Sequence, residues 1–233
     1  MSESALIIGA GSGLSASLAR LFASEGMTVG LAARRTAKLS ALVEEIGGRA
    51  YACDSTDPGD MEKLFADFES HAGIPDIMVY NPSGRVRGPI TELDTEKTKK
   101  ALLVTAYGAF LAAQHAARAM LKRDGSGIRG AMLFTGASAG VKGYAQSAPF
   151  AMGKFALRGL CQSLARELSP QNIHVAHFVI DGSIHNPEGG APYDDPAKSL
   201  NPDEIAKTYL QIARQDTSAW TWEIELRPSV ENF

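Results

Sequence analysis

Four apolar residues near the N-terminus, Ala5-Leu6-Ile7-Ile8, run straight into Gly9-Ala10-Gly11-Ser12-Gly13-Leu14-Ser15. Leu14, Leu18, Leu21 and Phe22 then recur at helical spacing. A strand apolar on both faces belongs inside a sheet covered on both sides, and here it delivers the chain to a glycine-rich turn that opens a helix. Glycines let such a turn bend tightly and let backbone N–H groups approach a pyrophosphate, while the helix N-terminus contributes a favourable dipole. The turn departs from the strict G-x-G-x-x-G because position 14 is Leu. A plain structural turn has the same composition. What favours phosphate binding is its place in the first strand–helix–strand unit.

The rest of the chain repeats this alternation. Apolar runs of strand length lie at 5–8, 28–33, 49–53, 76–80, 131–135 and 174–180, each followed by turn or cap residues. Helical segments lie between them. Leu39, Leu42, Val43 and Ile46 form one stripe, closed by Gly47-Gly48. Thr56-Asp57-Pro58 supplies a cap and an N1 proline for a helix with Met61, Leu64, Phe65 and Phe68 inside. Single helices are predicted over 95–122, 150–168 and 202–215, and a final edge strand over 220–226. Strand–helix alternation implies an α/β fold, a doubly wound parallel sheet with helices on both faces, as a single domain over 1–233. Residues 184–200 carry three prolines and three acids and form the one long irregular stretch. Leaving the carboxyl end of a strand, it reads as a lid over a ligand or as a surface loop.

The end of the second strand bears on cofactor choice. An NAD site places an acid there to hold the ribose 2′-hydroxyl. This chain has Ala32-Ala33-Arg34-Arg35 instead, and guanidinium groups pair with a 2′-phosphate. NADP(H) is therefore favoured over NAD(H), with solvated helix-capping charges as the competing reading of Arg34 and Arg35. Asp54, after the third strand, reads either as an acceptor for the adenine amino group or as a loop acid.

Composition removes several other classes. Lys and Arg total 23 against 26 Asp and Glu, a net charge of −3, so no basic excess points to nucleic acid or an anionic membrane. Two cysteines cannot build a disulfide framework or a four-cysteine zinc site, and no His, Cys and acid cluster has metal spacing, so no metal is expected. Reduced thiols, no apolar stretch of membrane-spanning length and a Met1-Ser2-Glu3-Ser4 start without secretory character give the expectation of a cytoplasmic protein.

These features resemble the short-chain dehydrogenase/reductase family over nearly the whole length. Gly9 to Ser15 is similar to its T-G-x-x-x-G-x-G, with Ile8 for the Thr and Ser15 for the last Gly. Asp54 matches its adenine-contacting Asp. Tyr80-Asn81-Pro82-Ser83 lies where the family has N-N-A-G, and Asp181-Gly182 where it has P-G. The resemblance implies a Rossmann-like fold and a cofactor site of Gly9, Gly11, Ser12, Gly13, Leu14, Arg34, Arg35, Asp54, Asn81, Ser83, Lys154, Gly182 and Ile184. It also implies a homodimer or homotetramer built on the helices of 95–122 and 150–168.

The family's proton relay of Asn, Ser, Tyr and Lys is matched only in part. Tyr-x-x-x-Lys reads here as Phe150-Ala151-Met152-Gly153-Lys154. The Ser position, thirteen before the Tyr, holds Ala137, with Ser138 one place later, and the Asn position holds Thr105. The resemblance gives Lys154 the nicotinamide ribose. Ser138, Asp181 and Tyr144 are further catalytic candidates: a displaced hydroxyl, a carboxylate near the nicotinamide amide, and a phenol on a nearby loop. His185 stands at the start of 184–200. The leading expectation is an NADP(H)-dependent oxidoreductase acting on a small carbonyl or alcohol with an altered relay. The alternatives are a non-catalytic NADP(H)-binding sensor or scaffold, and a redox-neutral lyase or isomerase.

Overall fold

A computed structural model describes residues 3–125, 127–186 and 196–230. Its first half runs β1 (Ser4–Ile8), α1 (Leu14–Ser24), β2 (Thr28–Ala33), α2 (Ser40–Ile46), β3 (Arg49–Ala52), α3 (Pro58–Ala72) and β4 (Ile77–Tyr80). The second half runs α4 (Thr95–Leu102), α5 (Gly108–Met120), β5 (Gly130–Thr135), α6 (Ala148–Leu168), β6 (Ile173–Ile180), β7 (Ser183–Ile184), β8 (Ser199–Leu200), α7 (Pro202–Ala213) and β9 (Glu223–Leu226). Seven strands form one parallel sheet in the order β3-β2-β1-β4-β5-β6-β9. The order reverses between β1 and β4, and the crevice outside their carboxyl ends is where such sheets bind ligands.

Side-chain alternation explains the two layers. Ala5, Ile7, Leu31, Val79, Leu133 and Phe178 face α1 and α7, packing on Leu18, Phe22, Ile205 and Tyr209. Leu6, Ile8, Met78, Met132, Phe134 and Val175 face α3, α5 and α6. Both faces being covered, the central strands β1, β4, β5 and β6 are buried on both sides. Asp57 caps α3 as expected, its Oδ1 accepting from the Asp60 N–H at 2.8 Å with Pro58 at N1. Gly47 ends α2 at φ +62°.

Three expectations change. Residues 95–122 are not one uninterrupted α-helix: α4 and α5 are joined by a π-helical turn, Leu103–Tyr107. The Tyr80 hydroxyl donates to the Val104 carbonyl at 2.5 Å, inserting into the helical ladder. Gly108 passes so close to Ser55 that a Cβ would lie 2.6 Å from its carbonyl oxygen. Of 220–226, only Glu223–Leu226 is strand, and Trp220 stacks flat on His174 with ring centres 4.7 Å apart. Finally, the ends of 184–200 are paired, Ser183 with Ser199 and Ile184 with Leu200. The centre of the expected lid, 187–195, lies outside the described residues.

Among the described residues no helix is long and apolar enough to cross a membrane. Two substitutions test the packing. Gly108→Ala is expected to destabilise the fold by about 1–3 kcal/mol in chemical denaturation, through overpacking against Ser55 and Tyr80. Gly159→Ala, on the exposed side of α6 with open space around it, is expected to stabilise by about 0.5–1 kcal/mol.

Candidate functional site

Backbone geometry builds the glycine turn. Gly9 sits at φ +84°, and a Cβ there would lie 2.6 Å from Pro82, so no other residue fits without strain. The N–H groups of Gly9 and Ala10 both donate to the Ala32 carbonyl at 2.9 Å, which ties the turn to β2. Asn81 Nδ2 donates to Ser15 Oγ at 2.7 Å, and Ser15 Oγ donates to the Gly9 carbonyl at 3.2 Å. The hydroxyl of Ser15 thus closes the turn internally and links it to the end of β4. A Cβ on Gly13 would meet nothing within 4 Å, and one on Gly11 only the Lys38 ammonium at 4.0 Å. The turn therefore faces open space at the start of α1, as a pyrophosphate requires.

Two adjoining cavities flank this turn. One, of about 190 Å³, is lined among others by Ala10, Arg34, Lys38, Asp54, Ser83 and Val104. The other, of about 250 Å³, is lined by Gly9, Gly11, Gly13, Leu14, Asn81, Ile184 and the neighbouring His185 and Asn186. Ser12 Oγ donates to Asn186 Oδ1 at 3.2 Å, so the turn also touches the segment after β7. Asp54 accepts from Thr56 through its N–H at 3.0 Å and its hydroxyl at 2.8 Å. Those bonds, led by the backbone one and aided by Arg34, hold its carboxyl below the usual range. A carboxylate facing an adenine-sized cavity with a guanidinium beside it suits an adenosine carrying an extra phosphate. Nine of the thirteen expected cofactor residues line one or both of these cavities, and Ser12, Arg35, Lys154 and Gly182 line neither. Arg35 is exposed and precedes the 3-10 turn Thr36–Leu39 without lining either. Lys38, on that turn, was not legible as a site residue, because only the turn brings its ammonium back over Gly11.

The catalytic candidates scatter more widely. Lys154 on α6 is 2% exposed, and its ammonium donates to the Thr135 carbonyl at the end of β5 at 2.7 Å. Burial lowers its pKa to about 8. Phe150, one turn earlier, presents its ring to that ammonium at 5.9 Å. Thr105 is fully buried, and its hydroxyl accepts the Gly84 N–H at 2.9 Å. Ala137 is extended, and Ser138 opens the short turn Ser138–Gly140. Tyr144 is 45% exposed, with the Lys142 ammonium 5.6 Å from its ring centre. Asp181 is buried, its Oδ2 3.2 Å from Arg227 and 3.8 Å from Lys142. Its N–H donates to the Leu226 carbonyl at the end of β9 at 2.8 Å, and the ion pair with Arg227 fastens the tail after β9 to the end of β6. Gly182, at φ +151°, lies against Pro228 of the same tail.

Beneath Lys154, His177 is fully buried with Nδ1 3.0 Å from Glu223, which also takes a two-point bond from Arg158 at 2.6 and 2.7 Å. Burial pushes His177 down to about 4. The neutral imidazole and the ion pair join β6, β9 and α6 below the site.

Comparison with known proteins follows from this geometry. A family model described as short chain dehydrogenase matches residues 3–183. The 3-oxoacyl-[acyl-carrier-protein] reductase MabA of Mycobacterium tuberculosis is 28% identical over 228 residues, covering 94% of this chain and 88% of that protein. A short-chain dehydrogenase from Rhodopseudomonas palustris superposes with a TM-score of 0.82 at 34% identity, covering 97% of this chain and 98% of the other. An actinorhodin polyketide ketoreductase solved with NADPH has a TM-score of 0.88 at 21% identity, covering 100% and 98%.

The buried ammonium gives a test of the geometry. Unfolded, Lys154 keeps its proton up to about 10.5, whereas folded it releases it near 8. Between those values the unfolded chain binds more protons, so this residue makes stability rise with pH across that window. Urea unfolding of the native chain and of Lys154→Met is expected to show that extra rise only in the native chain. Parallel curves would mean that the ammonium is solvated.

Proposed function

Because this chain belongs to the short-chain dehydrogenases, a family of Rossmann-fold, NAD(P)-binding oxidoreductases, we propose that it is an NADP(H)-dependent reductase of a small carbonyl substrate that works with an altered proton relay. The observation carrying this reading is the pair of cavities at the β1–β4 crevice, with Arg34 and Lys38 beside the adenosine end and the open glycine turn between them. Bound there, a reduced nicotinamide would supply the hydride.

The chain's own groups account for the remaining work. With the Gly9 and Ala10 N–H groups taken by the Ala32 carbonyl, the N–H groups from Gly11 onward, at the start of α1, hold the pyrophosphate. Arg34 and Lys38 balance a 2′-phosphate, and Asp54 accepts from the adenine amino group. Lys154 holds the nicotinamide ribose. With Phe150 and Ala137 in the relay positions, Lys154 is also the acid that would neutralise the developing alkoxide, its ammonium being brought by burial to about 8. Water then restores its proton. We read Asp181 as the tie of the C-terminal tail, since its carboxylate already faces two cations, and Tyr144 as a surface residue of the cleft rim. NADPH in the ketoreductase complex, and reductase activity among the relatives, support the reading. The expected homodimer or homotetramer would cover the exposed Tyr107, Phe110, Met152 and Phe155 on the outer faces of the helical pair.

Purified protein is expected to oxidise NADPH in the presence of some member of a panel of aldehydes, ketones and oxo acids, and Lys154→Ala to lower that rate by about 100-fold or more. Phe150→Tyr combined with Ala137→Ser is expected to raise turnover of simple ketones. Cofactor binding without turnover of any carbonyl would overturn the proposal.

A further inference from the structure

Lys154 and Arg158 follow one another at four-residue spacing along α6, and both reach down to the sheet. The Lys154 ammonium donates to the Thr135 carbonyl at 2.7 Å, and Arg158 forms its two-point bond with Glu223. His177 lies beneath them on β6, opposite Phe134 of β5 on one side and Glu223 of β9 on the other. By alternation along the strand, its side chain shares the α6 face with that of Val175.

The imidazole is fully buried, and its two nitrogens differ. Nδ1 lies 3.0 Å from Glu223 Oε2, and a carboxylate only accepts, so Nδ1 carries the proton. Nε2 is thereby a bare lone pair, and among the described residues it has no hydrogen-bond partner. It is aimed at the end of β5: a Cβ on Gly136 would lie 2.2 Å from it, so a glycine is what leaves room for it there. Gly136 directly follows Thr135. The ammonium and the lone pair therefore flank the same short piece of backbone, Thr135-Gly136, from the same face of the sheet. A buried acceptor without a donor calls for an explanation, and the ammonium has three donors, one of them used on Thr135.

We propose that His177 is a positioning residue for Lys154: its Nε2 lone pair is the second acceptor for the Lys154 ammonium, and Glu223 keeps it an acceptor by holding the proton on Nδ1. This rests on the reading of Lys154 as the acid of the cleft, and it adds the group that aims it. An ammonium held by two acceptors stays charged in a dry site, as a general acid must before it reacts. The charged groups around it do not do this. Glu223 is matched by Arg158, and Asp181, at the end of β6, faces Arg227 and Lys142. Cys161, further along α6, is a thiol whose pKa burial raises, and the Tyr209 hydroxyl of α7 is engaged with Thr135 Oγ1 at 2.9 Å. Arg85, whose guanidinium carbon lies 5.0 Å from the centre of the Phe150 ring, has the same sign as Lys154.

The test reads the titration of Lys154 directly, by NMR of the chain carrying lysine isotope-labelled at Cε, with Lys154→Met assigning the signal. His177→Gln puts a carbonyl oxygen near the Nε2 position. His177→Asn keeps only a group near Nδ1, where it still meets Glu223. The Lys154 midpoint is expected to stay within roughly 0.3 pH units of the native one in His177→Gln and to fall by about one pH unit in His177→Asn, the worth of one hydrogen bond to a charged group. With a carbonyl that is turned over, His177→Asn is expected to lower kcat rather than raise KM, and to displace the alkaline limb of the kcat profile to lower pH by the same amount. Isotope-labelled histidine gives a check that leaves position 177 unchanged: the His177 Nε2 resonance is expected to move as Lys154 loses its proton, and to hold still over that range in Lys154→Met. Equal Lys154 midpoints in the native chain, His177→Gln and His177→Asn, or an Nε2 resonance indifferent to Lys154, would overturn the inference. Both NMR readouts need neither cofactor nor substrate, so a protein that turns over no carbonyl would remove the reductase reading and leave the contact between Lys154 and His177 standing.

Discussion

The chain of hydrogen bonds from Asn81 through Ser15 to the Gly9 carbonyl holds the functional edge of this molecule together. It joins the carboxyl end of β4 to the turn after β1, across the one place where the strand order reverses. On one side Pro82 presses against Gly9 and fixes its left-handed backbone. On the other, the turn's N–H groups bind the Ala32 carbonyl at the end of β2. Three strand ends are thereby locked into one rigid rim, and the turn is left facing open space. Preorganisation of this kind lets backbone dipoles act on a phosphate without first paying to be ordered.

A second set of constraints spreads from Thr105. The π-helical turn that contains it exists because the Tyr80 hydroxyl enters the helical ladder at Val104. Once wound that way, the Thr105 hydroxyl takes the Gly84 N–H, and its side chain packs on Gly153 of α6. The same residue therefore sets the start of the loop bearing Arg85 and the position of the helix bearing Phe150 and Lys154. In the proposed reading the relay differs from the family's pattern while this scaffold still aims it. The underlying His177, Glu223 and Arg158 network stiffens it from below.

The sheet and the glycine turn were legible because they depend on local pattern. Runs such as Ala5–Ile8 alternate between two covered faces, and Gly9 stands where the backbone demands a glycine. The π-helical turn was not legible, since a tyrosine from a distant strand causes it and 95–122 has continuous helical periodicity. Lys38 escaped notice for a similar reason: it is one lysine on a short turn until folding swings it over Gly11. Arg34 and Arg35 were equivalent as sequence, whereas in the fold both are exposed and only Arg34 lines the cavity shared with Lys38 and Asp54. The tie between Asp181 and Arg227 joins residues 46 positions apart, and nothing local to Asp181 announces it.

The central claim is that the cleft beside Arg34 and Lys38 is a site for a dinucleotide bearing a 2′-phosphate. Calorimetric titration with NADPH and NADH, on the native chain and on Arg34→Ala with Lys38→Ala, addresses it most directly. The native chain is expected to bind NADPH at least about 10-fold more tightly than NADH, as a charge-assisted phosphate pair would give, and the double substitution to abolish that preference. Equal affinity for the two cofactors in the native chain, or a preference that survives loss of both cations, would contradict the account.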